Sequence, residues 1–291
     1  MKRGLGERLF DGCNIAFLTL LCAGTLYPFL YVLLASLSDP IELIRTRGPI
    51  LIPQGFSWEA YRLVLSNPMI SVGYANTLLY VVAGTALNLL LTSFGAYALS
   101  RPALMLRNPI MMMIVFTMFF SGGLIPNYLL VSELGMLDSR WALIIPSAIS
   151  TYNLIIMRTS FQGIPSGLEE SAKLDGANDF TILFRIILPL SLPVVSVMIL
   201  FYGVSHWNAW FNALIYLRDR DLYPLQLVLR EILITNSTDT LTTGAGEQGK
   251  ALIGETIKYA SIIVATVPVL FLYPFLQKYF VKGVMIGAVK G

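Results

Sequence analysis

Charge is scarce in this chain. Only 13% of its 291 residues are Asp, Glu, Lys or Arg, against about 25% in a typical soluble domain. Hydrophobic residues make up 56%, and mean hydropathy is +0.70. A water-soluble fold has no way to hide that much apolar surface, so the composition reads as a membrane protein. Histidine occurs once and cysteine twice. Those counts exclude a zinc site built from Cys and His and a disulfide scaffold. Cys13 and Cys22 share one apolar run. On a helix they would lie about 13.5 Å apart, whereas bridged cysteines need Cα atoms within about 7 Å. They read as free thiols. A net charge of +3 is too small to suggest nucleic acid as a partner.

Charge is also absent in long blocks. The windows 12–38, 63–100, 108–132, 141–157, 186–217 and 259–277 contain no Asp, Glu, Lys or Arg. A charge at a helix centre costs roughly 2.5–3.5 kcal/mol on insertion scales, and a crossing needs about 20 residues. The expected fold is an all-α membrane protein in one domain, 1–291. Its six spans lie near 14–36, 74–98, 109–131, 140–157, 190–216 and 259–279. Residues 63–73, with Ser66, Asn67, Pro68 and Ser71, read as an approach to the second span. The first run is too long for a signal-peptide core, and Tyr27, Pro28 and Phe29 occupy the place of a small-residue cleavage site. It reads as a retained helix. Six spans put both termini on one side. The cation bias of the short loops makes that side the cytoplasm, with 39–70 and 218–258 outside.

Intramembrane acids and bases, the usual partners of coupling ions, are missing from all six windows. His206 is the one titratable group there with a charge change near neutral pH, and a lone histidine reads first as a packing residue. Energy for active transport would have to come from another subunit. A stand-alone channel or facilitator for a small polar solute is the alternative. No nucleophile–base pair or metal-ligand cluster supports an enzyme. Gly244, Gly246 and Gly249 match G-x-G-x-x-G, and Gly244, Gly249 and Lys250 match the start of a P-loop, but position 251 is Ala rather than Ser or Thr. Polar residues precede them where both motifs need a strand. The segment reads as a Gly-rich connector, so this chain is expected neither to bind nor to hydrolyse ATP.

The informative loop is 158–189. Ser166 followed by Glu169 reads as a capping box that starts a short helix. Gly176 reads as the residue that ends it, and Asn178 or Asp179 as the cap of a second helix. Leu168, Ala172 and Asp175 fall at helical spacing on one side. A helix this short is marginal alone, so it must pack against its own spans or a partner.

Glu170-Ser171-Ala172, three residues, Gly176, nine residues, then Ile186, Leu188 and Pro189 is similar to the EAA loop of permease subunits of ATP-binding-cassette (ABC) importers. Ser171 replaces the first Ala of that pattern. The resemblance extends to Ser93 through Arg101 and to the tail Tyr279 through Gly291, which look like carbohydrate-importer permeases, the smaller maltose-transporter permease in particular. The opening, Phe10-Asp-Gly through Tyr27-Pro-Phe to Ser38-Asp-Pro, resembles a subgroup associated with polysaccharide fragments such as aldouronate, rhamnogalacturonan or alginate oligosaccharides. The resemblance implies a type I importer permease in the bacterial cytoplasmic (inner) membrane. It pairs with a second permease subunit and works with an ATPase subunit dimer and an extracytoplasmic solute-binding protein. ATP and Mg would be bound by the ATPase, and this chain would carry no cofactor. It further implies that Glu170, Ser171, Ala172, Asp175 and Gly176, with Ile186, Leu188 and Pro189 behind them, couple the chain to the ATPase, and that Lys282 to Lys290 reach it too.

A sugar path needs aromatic faces and hydrogen-bonding amides or hydroxyls. Asn76, Tyr80, Gly84 and Asn88 recur at helical spacing in the second span. Phe201, Ser205, Asn208 and Asn212 recur in the fifth, flanked by Trp207 and Trp210. Asn76, Tyr80, Trp207, Asn208, Trp210 and Asn212 are the candidate path residues. Interhelical packing is the other use of such stripes. Ser121, Gly122, Gly123 and Pro126 interrupt the third span. They mark a broken helix lining a cavity or only the span's outer end.

Overall fold

The computed structural model describes residues 5–46, 48–242 and 254–271. These are helical, and among them the only β-pairing is an isolated bridge between Ser38 and Phe56. In chain order the helices are α1 (Leu5–Ser36), α2 (Pro40–Arg45), α3 (Glu59–Ser66), α4 (Pro68–Ser100), α5 (Arg107–Phe119), α6 (Leu124–Glu133), α7 (Trp141–Ile144) and α8 (Thr151–Gln162). They continue with α9 (Ser166–Leu174), α10 (Asp179–Leu190), α11 (Leu192–Trp207), α12 (Phe211–Tyr216), α13 (Leu225–Thr242) and α14 (Gly254–Phe271).

Three helices are long and apolar enough to cross a membrane: Leu9–Ser36 of α1, α4 and α14. Two bent pairs bring the number to five if each pair is one span. Of the six expected spans, three to five are present by length and composition among the described residues, and several of them are broken. The third is α5 and α6, bent by 114° at the break that contains Gly123 (φ +84°). The fourth, expected as one helix over 140–157, is split into α7 and α8. Pro146 lies in the gap, where it offers no N–H and crowds the preceding turn. The fifth, expected over 190–216, is bent by 88° between α10 and α11, with Ser191 between Pro189 and Pro193, and its helix ends at Trp207. The second starts earlier than expected, because Pro68 opens α4. Its length of 33 residues gives about 50 Å at 1.5 Å per residue. The Gly-rich connector 243–253 and the tail after Phe271 lie outside the described residues.

The chain divides into two compact units. The first comprises Met1–Ile70 and Leu229–Val267. Its small core is Ala35, Leu43 and Ile50, with Tyr31 and Tyr259 meeting edge to face at 5.9 Å. Asp39 caps α2 by accepting from Ile41 N at 2.9 Å. From Leu9 to Leu34 no residue of α1 is buried; burial begins only at Ala35 and Ser36. Phe10, Ile15, Phe17 and Leu20 are all exposed. Such a helix suits hydrocarbon, where the backbone is satisfied internally and apolar side chains need no cover.

The second unit is Ser71–Val228 with Pro268–Gly291. Its larger core sets Ala96, Tyr97 and Leu99 of α4 against Leu154, Met157 and Phe161 of α8, closed by Ile182, Leu183 and Ile187 of α10 and Met198 and Tyr202 of α11. A second cluster joins Tyr80 to Leu143, Ala213, Tyr216 and Leu227. Small residues allow the close approach: a Cβ on Gly95 would sit 3.1 Å from Leu154 Cδ1, and one on Gly73 would sit 3.0 Å from the Leu225 Cα.

Candidate functional site

The EAA-like segment folds as α9. Its C-terminal end is as the sequence predicts. Gly176 adopts φ +81°, Gly176 N donates to Lys173 O at 3.1 Å, and Ala177 N donates to Ala172 O at 2.9 Å. This pair of bonds is a Schellman motif, which satisfies two orphan carbonyls and turns the chain sharply. Asn178 then caps α10 by accepting from Thr181 N at 2.8 Å.

The N-terminal end differs from expectation. Pro165 precedes the first turn, and no side chain caps it. Glu169 does not fold back as a capping-box partner. Its carboxylate is buried instead, where it accepts from Tyr97 Oη at 2.9 Å and pairs with Arg101 and, at 3.4 Å, with Lys173. Arg101 also lies over the Tyr97 ring at 4.7 Å. Charge-assisted bonds to a buried carboxylate outweigh a local cap. Lys173 reaches Asp179 as well, at 3.6 Å. Arg158 Nε donates to Leu99 O at 2.8 Å, closing the end of α4 against α8. A cleft of about 660 Å³ lies here, lined by Tyr97, Arg101, Glu169, Lys173, Asp179 and apolar neighbours such as Phe180.

The inward face of α9 is therefore Glu169 and Ala172, rather than Leu168, Ala172 and Asp175. Ala172 is buried, while Leu168 is 45% exposed and Asp175 is exposed. The opposite stripe is Gly167, Glu170, Ser171 and Leu174, all exposed and all at helical i, i+3, i+4, i+7 spacing. Leu174 is 90% exposed. Sequence reasoning overlooked it, although its place four residues after Glu170 was legible. Ile186 and Leu188 are partly buried behind α9, and Pro189 is exposed.

The polar residues of α4 point to the other end of this unit. Asn76 Nδ2 donates to Asp221 O at 2.6 Å and to Tyr223 O at 3.2 Å, and its Oδ1 accepts from Arg140 Nη2 at 3.3 Å. Tyr80 Oη donates to Leu222 O at 2.8 Å. From Asn76 to Tyr97 the helix covers about 32 Å, close to the roughly 30 Å of a bilayer's hydrocarbon core.

Between these ends lies a polar cavity of about 370 Å³, lined by Ser147, Ile149, Ser150, Asn153, Phe201, Tyr202, Ser205 and His206. The gap between α7 and α8 opens it, and side chains from elsewhere satisfy the freed backbone. Asn88 Nδ2 donates to Ser147 O at 2.6 Å and Ala148 O at 2.8 Å. Ser150 N donates to Tyr202 Oη at 3.1 Å. His206 Nε2 meets Asn88 Oδ1 at 2.7 Å, and the His206 ring lies on Gly84, where no Cβ intervenes. Of the fifth-span stripe, Phe201 and Ser205 line the cavity. Asn208 and Asn212 are exposed and outside it, because the helix ends at Trp207 and restarts at Phe211. Trp207 is buried with its ring 6.3 Å from that of Tyr74, and Trp210 packs on Phe211. Ser147 through Asn153 were missed. Their signal was the cluster Ser147, Ser150, Thr151 and Asn153, directly after Pro146 inside a charge-free window.

Residues 81–286 match the family described as binding-protein-dependent transport system inner membrane component. The polygalacturonan/rhamnogalacturonan transport system permease protein YtcP of Bacillus subtilis (strain 168) is 46% identical over 288 residues, covering 98% of this chain and 99% of that protein. Protein LplC of the same organism is 44% identical over 284 residues, covering 98% and 96%. A chain from the crystal structure of a bacterial ABC transporter involved in the import of the acidic polysaccharide alginate has a TM-score of 0.87 at 33% identity, covering 96% of this chain and 99% of that one.

Proposed function

The chain belongs to the family of binding-protein-dependent transport system inner membrane components, and from that premise we propose that it is the permease subunit of an ABC importer for acidic oligosaccharides. With a second permease subunit it forms a path for polysaccharide fragments, which an extracytoplasmic binding protein delivers. A separate ATPase dimer supplies the energy. The chain crosses the bacterial cytoplasmic membrane six times, with both termini and α9 in the cytoplasm.

One observation carries the reading. α9 is a nine-residue helix, too short to stand alone, held by its buried face while Gly167, Glu170, Ser171 and Leu174 stay uncovered. A stand-alone facilitator has no use for such an outward stripe, whereas an ATPase partner needs one. Glu170, Ser171 and Leu174 are the contact residues. Ala172, Gly176, Ile186 and Leu188 shape the loop that presents them, and Asp175 and Pro189 mark its two turns. The sugar class rests on the relatives named for polygalacturonan/rhamnogalacturonan and for alginate. The cavity supports it in kind, since Ser147, Ser150, Asn153 and Ser205 offer hydrogen bonds beside the aromatic Phe201 and Tyr202.

The test is uptake into proteoliposomes. The chain is reconstituted with its second permease, ATPase and binding protein, and tritiated oligogalacturonides and alginate oligosaccharides are the probes. ATP-dependent uptake of either is expected. Uptake that persists without the ATPase would establish the facilitator instead.

A further inference from the structure

Two adjacent glutamates in α9 face opposite ways, and the known resemblance singles out only the outer one. Glu170 is exposed, while Glu169 is buried against α4. We propose that Glu169 is the tether through which movement of α9 reaches α4, with Tyr97 and Arg101 as the groups that receive it. Glu170 serves the outward face and Glu169 the inward one. This inference rests on the importer reading and names the residues by which a partner's movement enters the membrane.

Three features carry it. First, Glu169 supplies every polar side-chain bond between α9 and α4 among the described residues: the 2.9 Å bond from Tyr97 Oη and the ion pair with Arg101. The remaining contact is apolar, through Ala172 in the core that holds Ala96 and Tyr97. Apolar contacts slide easily, but a charge-assisted pair with two directed bonds fixes register. Second, the receiving residues stand at the end of the helix that spans this unit. Tyr97 stands in the last turn of α4 and Arg101 directly follows its end, so Glu169 grips the helix terminus. Asn76 and Tyr80 hold the far end to residues 221–223. Between the ends, Asn88 binds His206 and the Ser147–Ala148 break of the polar cavity. A displacement applied at Glu169 therefore acts on the helix that also shapes the cavity.

Third, the pairing is incomplete. Arg101 Nε and Nη2 are buried and have no hydrogen-bond partner among the described residues. Lys173 bridges Glu169 to Asp179 at the head of α10, so a second carboxylate stands beside the cluster. Unmatched donors next to another acceptor give the Arg101 guanidinium a second carboxylate to turn to when α9 moves, as a two-state element requires.

The experiment uses the full complex in proteoliposomes and reads two quantities, ATPase retained on the permease and sugar imported per ATP hydrolysed. Glu169→Gln keeps the side-chain size and removes the charge. It should retain the ATPase at the parent level and lower the import-to-hydrolysis ratio by about tenfold, the effect of 1.4 kcal/mol. Glu170→Ala, on the outward face, should instead release ATPase from the permease. The exchange variant Arg101→Glu with Glu169→Arg should recover part of the ratio lost in each single variant. An unchanged ratio in Glu169→Gln overturns the proposal. So does loss of ATPase from that variant, which would make Glu169 a docking residue. An exchange variant that assembles yet stays as uncoupled as the singles overturns it too, and if the exchange fails to assemble, Glu169→Gln decides. Failure of the importer reading looks different, since the unmodified complex would then import nothing.

Discussion

Gly84→Ala should destabilise this protein, against the usual sign of that substitution. Within a helix, alanine is favoured over glycine by about 0.8–1.0 kcal/mol. At position 84 the new Cβ would lie 2.5 Å from His206 Nε2, 2.6 Å from Cε1 and 2.9 Å from Cδ2. Optimal separation between such atoms is about 3.5–4.0 Å, so the ring must retreat by roughly 1 Å. That movement stretches the 2.7 Å contact between His206 Nε2 and Asn88 Oδ1 beyond the roughly 3.2 Å limit of a hydrogen bond. Leaving buried polar atoms unmatched costs about 1–3 kcal/mol, and overpacking costs about 1–3 kcal/mol. The two overlap, and the helix gain offsets part, so the expected net loss is about 2 kcal/mol. Equilibrium unfolding of the detergent-purified chain measures it. A double-mutant cycle with His206→Ala isolates the cause, because removing the ring makes room for the methyl. The second substitution should then cost at least about 1 kcal/mol less than in the parent background. A Gly84→Ala variant within about 0.5 kcal/mol of the parent, or strict additivity in the cycle, would refute the reasoning.

Three further outcomes are expected. Gly176→Val places a β-branched residue at φ +81°, a conformation such residues rarely adopt. Uptake should be abolished while membrane content, read by immunoblot, is unchanged. Asp138 Oδ1 accepts from the amides of Asp219 and Arg218, each at 2.8 Å, and these bonds hold its carboxyl below the usual carboxylate range. A depressed folded-state pKa stabilises above the unfolded value and loses that contribution as pH falls through the folded value. Hydrogen-exchange protection of the Arg218 and Asp219 amides should therefore decline only below about pH 4, and Asp138→Ala should show low protection at every pH. Finally, with the exposed Cys13 and Cys22 replaced by serine, cysteines at Ser166 and Arg218 should differ on intact cells. An impermeant thiol reagent should label position 218 and spare 166, and the opposite pattern would invert the orientation.

Local chemistry was legible and distant pairing was not. Gly176 and Asn178 act through bonds to residues within five positions, so the sequence displays both partners at once. Ser166 and Glu169 followed an equally local rule, which lost to Arg101, 68 residues away. Hydropathy located the charge-free blocks, but a block has the same average whether its helix is whole or broken. Pro146 marked the break in the fourth. What makes that break tolerable is the amide of Asn88, 59 residues from Ser147, and no window sees it. Periodicity found the face of α4 that carries Asn76, Tyr80, Gly84 and Asn88. It did not reveal that the face meets neighbouring protein, because a stripe has the same spacing whatever it touches.

The two ends of α4 also set an order of events during synthesis. Arg101 is made 68 residues before Glu169, and Asn76 is made 145 residues before Asp221. At about 5–20 residues per second, the first delay lasts about 3–14 s and the second about 7–29 s. For that time the nascent chain holds an unpaired guanidinium at one end of α4 and the unmatched Asn76 amide at the other. Both stand near the ends of α4 rather than at its middle. A ribosome stalled after α4 has left the exit tunnel but before Glu169 is made would thus leave an incomplete chain with Arg101 unpaired and open to quality control.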